Sequence, residues 1–150
     1  MNILSKLEYN LESLERLAVK FAKKSKVGDL ILLKGGLGVG KTTFARLYIN
    51  ALHDLNHLKK PNNIKSPSFP ILINYDFLNY EIHHYDFYRV IKTNELIELS
   101  FFEELGKKIS IVEWPEIILD NFNLKEFYLF KFDFINSDKR LIEIKYILKY

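Results

Sequence analysis

Eight consecutive residues constrain this chain more than any others: Gly35-Gly36-Leu37-Gly38-Val39-Gly40-Lys41-Thr42, a glycine, four residues, then Gly-Lys-Thr. This is the pattern of a phosphate-binding loop, in which glycines let backbone N–H groups approach phosphate oxygens without interference from a Cβ. Four of the chain's six glycines lie in Gly35–Gly40. The pattern assigns Gly35, Gly36, Leu37, Gly38, Val39, Gly40, Lys41, Thr42 and Thr43 to a nucleoside triphosphate, with Lys41 at the β and γ phosphates and the Thr42 hydroxyl as a Mg²⁺ ligand. Its flanks agree. Asp29-Leu30-Ile31-Leu32-Leu33 reads as a buried strand, and Thr43 to Ile49 has helical spacing, so the helix starting near Lys41 aims its positive end at the anion.

At 150 residues, 48% hydrophobic and 27% charged, the chain makes one domain over 1–150 with a sizeable core. A net charge of +3 spread along the sequence permits an acidic or nucleic-acid partner without requiring one. The absence of cysteine excludes disulfides, cysteine-ligated metal centres and a cysteine nucleophile. No apolar run reaches about 18 residues and the amino terminus lacks the pattern of a signal peptide, so a cytoplasmic protein without a membrane partner is expected.

Leu7, Leu11, Leu14, Ala18 and Phe21 recur at helical spacing and predict an amphipathic helix from Leu7 to Phe21 that covers the sheet. The phosphate-loop helix is expected to run to about Leu52. His53 and His57 lie four apart, but no neighbouring carboxylate supports a metal site there. Asn62 to Pro70 is a loop by its turn chemistry; Ser68 offers it a hydroxyl for Mg²⁺ or water, and a plain connector is the equal alternative.

Ile71–Tyr75 and Tyr80–Tyr88 read as a β-hairpin ending in His83-His84-Tyr85-Asp86-Phe87-Tyr88-Arg89, the densest run of ionisable and aromatic groups in the chain. Asp86 is the natural acid for Mg²⁺ or its water shell, and Arg89 a candidate for phosphoryl charge; the alternatives are a turn-capping Asp86 and a solvated Arg89. Thr93 to Gly106 reads as one helix capped by Thr93. Ile109 to Val112 then form an apolar strand ending in Glu113-Trp114-Pro115, like a Walker B element with Glu in place of Asp. Glu113 is thereby a second candidate for the Mg²⁺ shell or for orienting water. Alternation over Glu126–Phe134 and Arg140–Leu148 around Asn136-Ser137-Asp138 predicts a terminal hairpin that closes the sheet. The expected fold is α/β: a P-loop NTPase-like mixed sheet, parallel at its centre with antiparallel hairpins, flanked by helices.

Leu37 to Thr43, Lys65-Ser66-Pro67-Ser68-Phe69, His84-Tyr85-Asp86-Phe87-Tyr88-Arg89 and Val112-Glu113-Trp114-Pro115, in this order, resemble the TsaE (YjeE-type) family. The resemblance implies a bacterial ATPase that acts with TsaB, TsaC and TsaD in making threonylcarbamoyladenosine on tRNA, contacting tRNA only through the TsaB/TsaD complex. It implies ATP and Mg²⁺ as cofactors, with Lys41, Asp86 and Glu113 catalytic, Thr42, Asp86 and Glu113 on the metal, and Ser66, Pro67 and Ser68 as a switch loop. Gly36 stands where many members carry an acid, and Ser68 where many carry threonine.

Other readings compete with this one. A small P-loop kinase typically needs several cations around the transferred group, and the chain has four arginines. A GTPase needs an Asn-Lys-x-Asp motif, which is absent. A nucleotide-dependent binding module without significant turnover needs only the loop. Direct tRNA binding lacks a stacking platform of aromatic and basic residues.

Overall fold

The computed structural model describes residues 2–149. One seven-stranded sheet has the order β1-β7-β6-β2-β5-β4-β3. The strands are β1 (Asn2–Tyr9), β2 (Leu30–Gly35), β3 (Leu72–Asp76), β4 (Glu81–Asp86), β5 (Ile109–Glu113), β6 (Glu126–Phe134) and β7 (Arg140–Leu148). The four central strands, β6, β2, β5 and β4, are mutually parallel; β3, β7 and β1 join antiparallel. Both expected hairpins, β3–β4 and β6–β7, form.

The apolar run of β2 is continuous because the strand is covered on both faces. Ile31 and Leu33 face one core, under α1 (Leu11–Ala22) and α2 (Lys41–Leu55). Leu30 and Leu32 face the other, under α3 (Thr93–Glu98), α4 (Phe101–Glu104) and α5 (Glu116–Asn121). Parallel strands with helices on both faces direct every β-to-α loop to one edge, which is where such sheets bind ligands.

Three boundaries differ from expectation. The first helix starts at Leu11, because Asn10 Oδ1 accepts from the Ser13 amide and Ser13 Oγ from the Asn10 amide, each at 2.9 Å. Leu7 belongs to β1, which pairs with β7, so this strand and not the terminal hairpin forms that edge of the sheet. The expected helix from Thr93 to Gly106 is two helices broken at Ser100, which has φ 52°. Its start is fixed by Glu95, whose Oε1 accepts from the Lys92 amide at 2.9 Å, and not by the Thr93 hydroxyl. The phosphate-loop helix continues to Leu55, three residues beyond the expected end, and α5 follows Pro115.

Candidate nucleotide and metal site

The loop from Gly35 to Gly40 joins β2 to α2 at the carboxyl edge of the sheet. Its two ends are tightly specified. At Gly35 (φ 155°) a Cβ would lie 2.5 Å from the Phe132 carbonyl oxygen, and at Gly40 (φ 116°) it would lie 3.2 Å from the Tyr9 hydroxyl. Between them the loop faces open space: a Cβ on Gly36 or Gly38 would meet nothing within 4 Å.

A cleft of about 390 Å³ adjoins the loop, lined by Leu37, Gly38, Lys41, Thr42, Ser66, Ser68, Asp86, Tyr88, Arg89, Glu113 and Trp114 among others. Residues from four separate stretches therefore meet in one place. The register explains part of it: Asp86 and Glu113 are the last residues of neighbouring parallel strands and stand directly opposite each other.

Glu113 is 2% exposed and bonded at both oxygens: Thr42 Oγ1 donates to Oε2 at 2.7 Å, and His84 Nε2 meets Oε1 at 2.8 Å. A carboxylate can only accept, so His84 carries its proton on Nε2. Asp86 is 3% exposed; its Oδ2 accepts from Ser66 Oγ at 2.6 Å and its Oδ1 from the Tyr88 amide at 2.9 Å. The capping of the following turn and the approach to the cleft are thus combined in one carboxylate. Ser66, not Ser68, ties the 62–70 loop to the acid; Ser68 lines the cleft two residues on.

Lys41 lies over its own loop, donating to the Gly35 and Gly36 carbonyls at 2.7 Å each, with Nζ 3.9 Å from the centroid of the Trp114 ring. Burial lowers its pKa, against the opposing pull of Glu113, Glu116 and Asp86. Trp114 holds this position with φ 56°, unusual for a large side chain, between the strand end and Pro115, and its ring packs against Tyr88 at 4.8 Å. Arg89 is exposed, its guanidinium 5.7 Å from the Phe69 ring centroid.

His53 and His57 do not come together as a site. His53 is buried with Nδ1 2.8 Å from the Ile49 carbonyl, while His57 lies beyond the helix end at φ 54°. Among the described residues, no group of three or more His, Asp or Glu side chains stands ready to hold a metal ion.

Two contacts at the site carried no separate sequence signal. Tyr9, expected in a covering helix, ends β1 and donates its hydroxyl to the Val39 carbonyl inside the loop. His84 was visible only as part of the His-x-Asp run; its contact with Glu113 depends on the pairing of β4 with β5.

The family model described as "Threonylcarbamoyl adenosine biosynthesis protein TsaE" matches residues 9–142. This chain belongs to the TsaE family. It is 38% identical over 132 residues to the tRNA threonylcarbamoyladenosine biosynthesis protein TsaE of Rickettsia typhi, covering 83% of each chain. It is 35% identical over 112 residues to the protein of that name from Aquifex aeolicus, covering 73% of this chain and 77% of that one. The crystal structure of Bacillus subtilis YdiB superposes with TM-score 0.67 over 99% of this chain and 89% of that one at 22% identity, which shows a shared P-loop NTPase-like fold. The TsaE match begins at Tyr9, so it takes in the residue that braces the loop as well as both acids.

Proposed function

We propose that this chain is a Mg²⁺-dependent ATPase that acts in the threonylcarbamoyladenosine modification of tRNA, together with TsaB and TsaD. The observation that carries the reading is the meeting of Lys41, Thr42, Asp86 and Glu113 in one cleft beside a glycine loop. The TsaE names of its relatives carry the pathway.

The residues fit both groups. The open backbone around Gly36 and Gly38 is a cradle for phosphate, and the two carboxylates with the Thr42 hydroxyl are the hard oxygen donors that Mg²⁺ takes. Because no three His, Asp or Glu side chains among the described residues stand ready to hold a metal ion, a cation here depends on nucleotide oxygens and water to complete its shell. When bound, Mg²⁺ would neutralise phosphate charge and orient the terminal phosphoryl group. Thr42 gives its hydroxyl hydrogen to Glu113, which leaves the Oγ1 lone pairs free to face that cation.

Nucleotide binding draws Lys41 from the Gly35 and Gly36 carbonyls onto the phosphates, where its charge balances the charge that grows in hydrolysis. Asp86 or Glu113 positions the attacking water. A second cavity of about 170 Å³ flanks the loop on the side of Tyr9, Asn10, Leu11 and Arg140. Leu37, Phe69 and Tyr88 are 80%, 86% and 61% exposed around the phosphate cleft. Apolar side chains at the mouth of a phosphate site support a protein partner that covers it, which fits slow turnover stimulated by that partner.

The test is ATP hydrolysis by the purified protein, alone and with TsaB and TsaD, against Lys41→Ala. Partner-stimulated turnover lost in the variant is expected; nucleotide binding without turnover under any combination leaves a nucleotide-dependent binding module.

A further inference from the structure

His84 is completely buried, 0% exposed, in the middle of β4. It pairs with Ile73 on β3 and Ile111 on β5, so its flanks are apolar. Two residues before Asp86 on the same strand, it shares that residue's face and lies beneath both acids of the cleft. Its Nε2 meets Glu113 Oε1 at 2.8 Å, while its Nδ1 has no hydrogen-bond partner among the described residues.

Stability does not account for an imidazole here. A buried ring nitrogen without a partner costs stability, and an apolar side chain of similar volume would fill the space without that cost. What the imidazole adds is one bond, to Glu113. The two acids differ in this respect. Asp86 is held by the backbone amide of Tyr88 and by a serine of the adjoining loop, whereas Glu113 is held by two side chains, Thr42 and His84. Thr42 belongs to the first turn of α2, directly after the phosphate loop. His84 belongs to the central strand β4, and among the described residues it is the anchor of the Glu113 carboxylate that comes from the sheet.

We propose that His84 is a positioning residue for Glu113: it fixes the carboxylate rotamer so that Oε2 stays against Thr42 as nucleotide and cation arrive. The inference rests on the Mg²⁺-ATPase reading above. It implies that the sheet, and not the start of α2, sets the orientation of this acid. Partners that orient a ligating or outer-sphere carboxylate typically change metal affinity or activity by about 10–100-fold when removed.

The experiment compares wild type, His84→Leu, His84→Gln and Lys41→Ala. A fluorescent ATP analogue is titrated in EDTA and again across Mg²⁺ concentrations, alongside steady-state hydrolysis with TsaB and TsaD. His84→Leu is expected to bind nucleotide in EDTA within about twofold of wild type, but to need about tenfold more Mg²⁺ for half-saturation, with kcat lowered about tenfold and KM for ATP little changed. His84→Gln places an amide N–H near the position of Nε2 and is expected to recover both quantities to within about threefold.

A His84→Leu protein with the wild-type Mg²⁺ response overturns the proposal. So does equal impairment of the leucine and glutamine variants, which would make the residue a packing element. Should His84→Leu fail to fold, His84→Asn replaces it. Its shorter amide falls short of Glu113, so the asparagine variant matching the glutamine variant likewise overturns the proposal. A wild type whose nucleotide binding is abolished by Lys41→Ala yet ignores Mg²⁺ overturns the metal reading and this inference together, and is distinct from failure of the inference alone.

Discussion

The Tyr9 hydroxyl at the end of β1 donates to the Val39 carbonyl, joining the edge strand of the sheet to the interior of the phosphate loop. Burial raises the phenol pKa to about 12, so it remains a donor throughout the neutral range. Its ring packs edge-on against Phe132 at 5.9 Å, a contact that phenylalanine keeps. Tyr9→Phe therefore isolates the hydrogen bond. Loss of about 1 kcal/mol, a fall in Tm of roughly 2–4 °C, and nucleotide affinity weakened severalfold are expected. Thermal melts with and without ATP check this, and an unchanged affinity would show that the loop holds its shape without the brace.

The two ends and the middle of the loop answer differently to a methyl group. Gly35→Ala forces a Cβ to within 2.5 Å of the Phe132 carbonyl oxygen on the adjacent strand β6. Backbone oxygen cannot step aside cheaply, so a loss of roughly 3 kcal/mol or more is expected. Gly36→Ala meets nothing within 4 Å and is expected to stay within about 0.5 kcal/mol of wild type. Denaturant melts of the pair give the comparison directly.

The same contrast explains what was legible in the sequence. Loop, central strand and helix are readable because glycine spacing and apolar runs are local signals, and the two acids because Glu113 ends an apolar strand and Asp86 sits in a dense run of ionisable and aromatic residues. Leu7 fits helical and strand periodicity equally; the Asn10–Ser13 capping box decides the boundary. The break at Ser100 leaves Leu96 and Phe101 in the core but interrupts a spacing that looked continuous. Contacts across strands were out of reach. Tyr9 with Val39, Thr42 with Glu113 and His84 with Glu113 span 30, 71 and 29 residues, and each exists only once the strand order is set.

Trp114 is the chain's single tryptophan, and its ring lies 3.9 Å from Lys41 Nζ. Transfer of the lysine to phosphate removes a cation from the indole face, so ATP binding is expected to shift the intrinsic fluorescence. Lys41→Ala should alter the starting spectrum and abolish the ATP response. A full ATP response in that variant would place the optical change elsewhere, in Tyr88 or the surrounding loop.

Alkaline stability follows from phenols on both sides of the sheet. Tyr48 is fully buried and donates to Ser25 Oγ at 2.6 Å, Tyr85 is fully buried in the opposite core, and burial raises the pKa of both. An unfolded tyrosine loses its proton near pH 10.0, while these native phenols retain theirs. Above that point the native state binds more protons than the unfolded state, so stability falls as pH rises. Below it the three residues, Tyr9 included, contribute no pH dependence. The expected result is a stability plateau below pH 10 followed by cooperative unfolding, with tyrosinate absorbance rising in the same step. Tyr48→Phe should flatten the alkaline slope by up to about 1.4 kcal/mol per pH unit. Because Ser25 Oγ still donates to the Phe21 carbonyl at 3.1 Å, the substitution leaves no buried donor unpaired and the fold intact. An unchanged slope would mean that the Tyr48 phenol is reached by solvent before the protein unfolds.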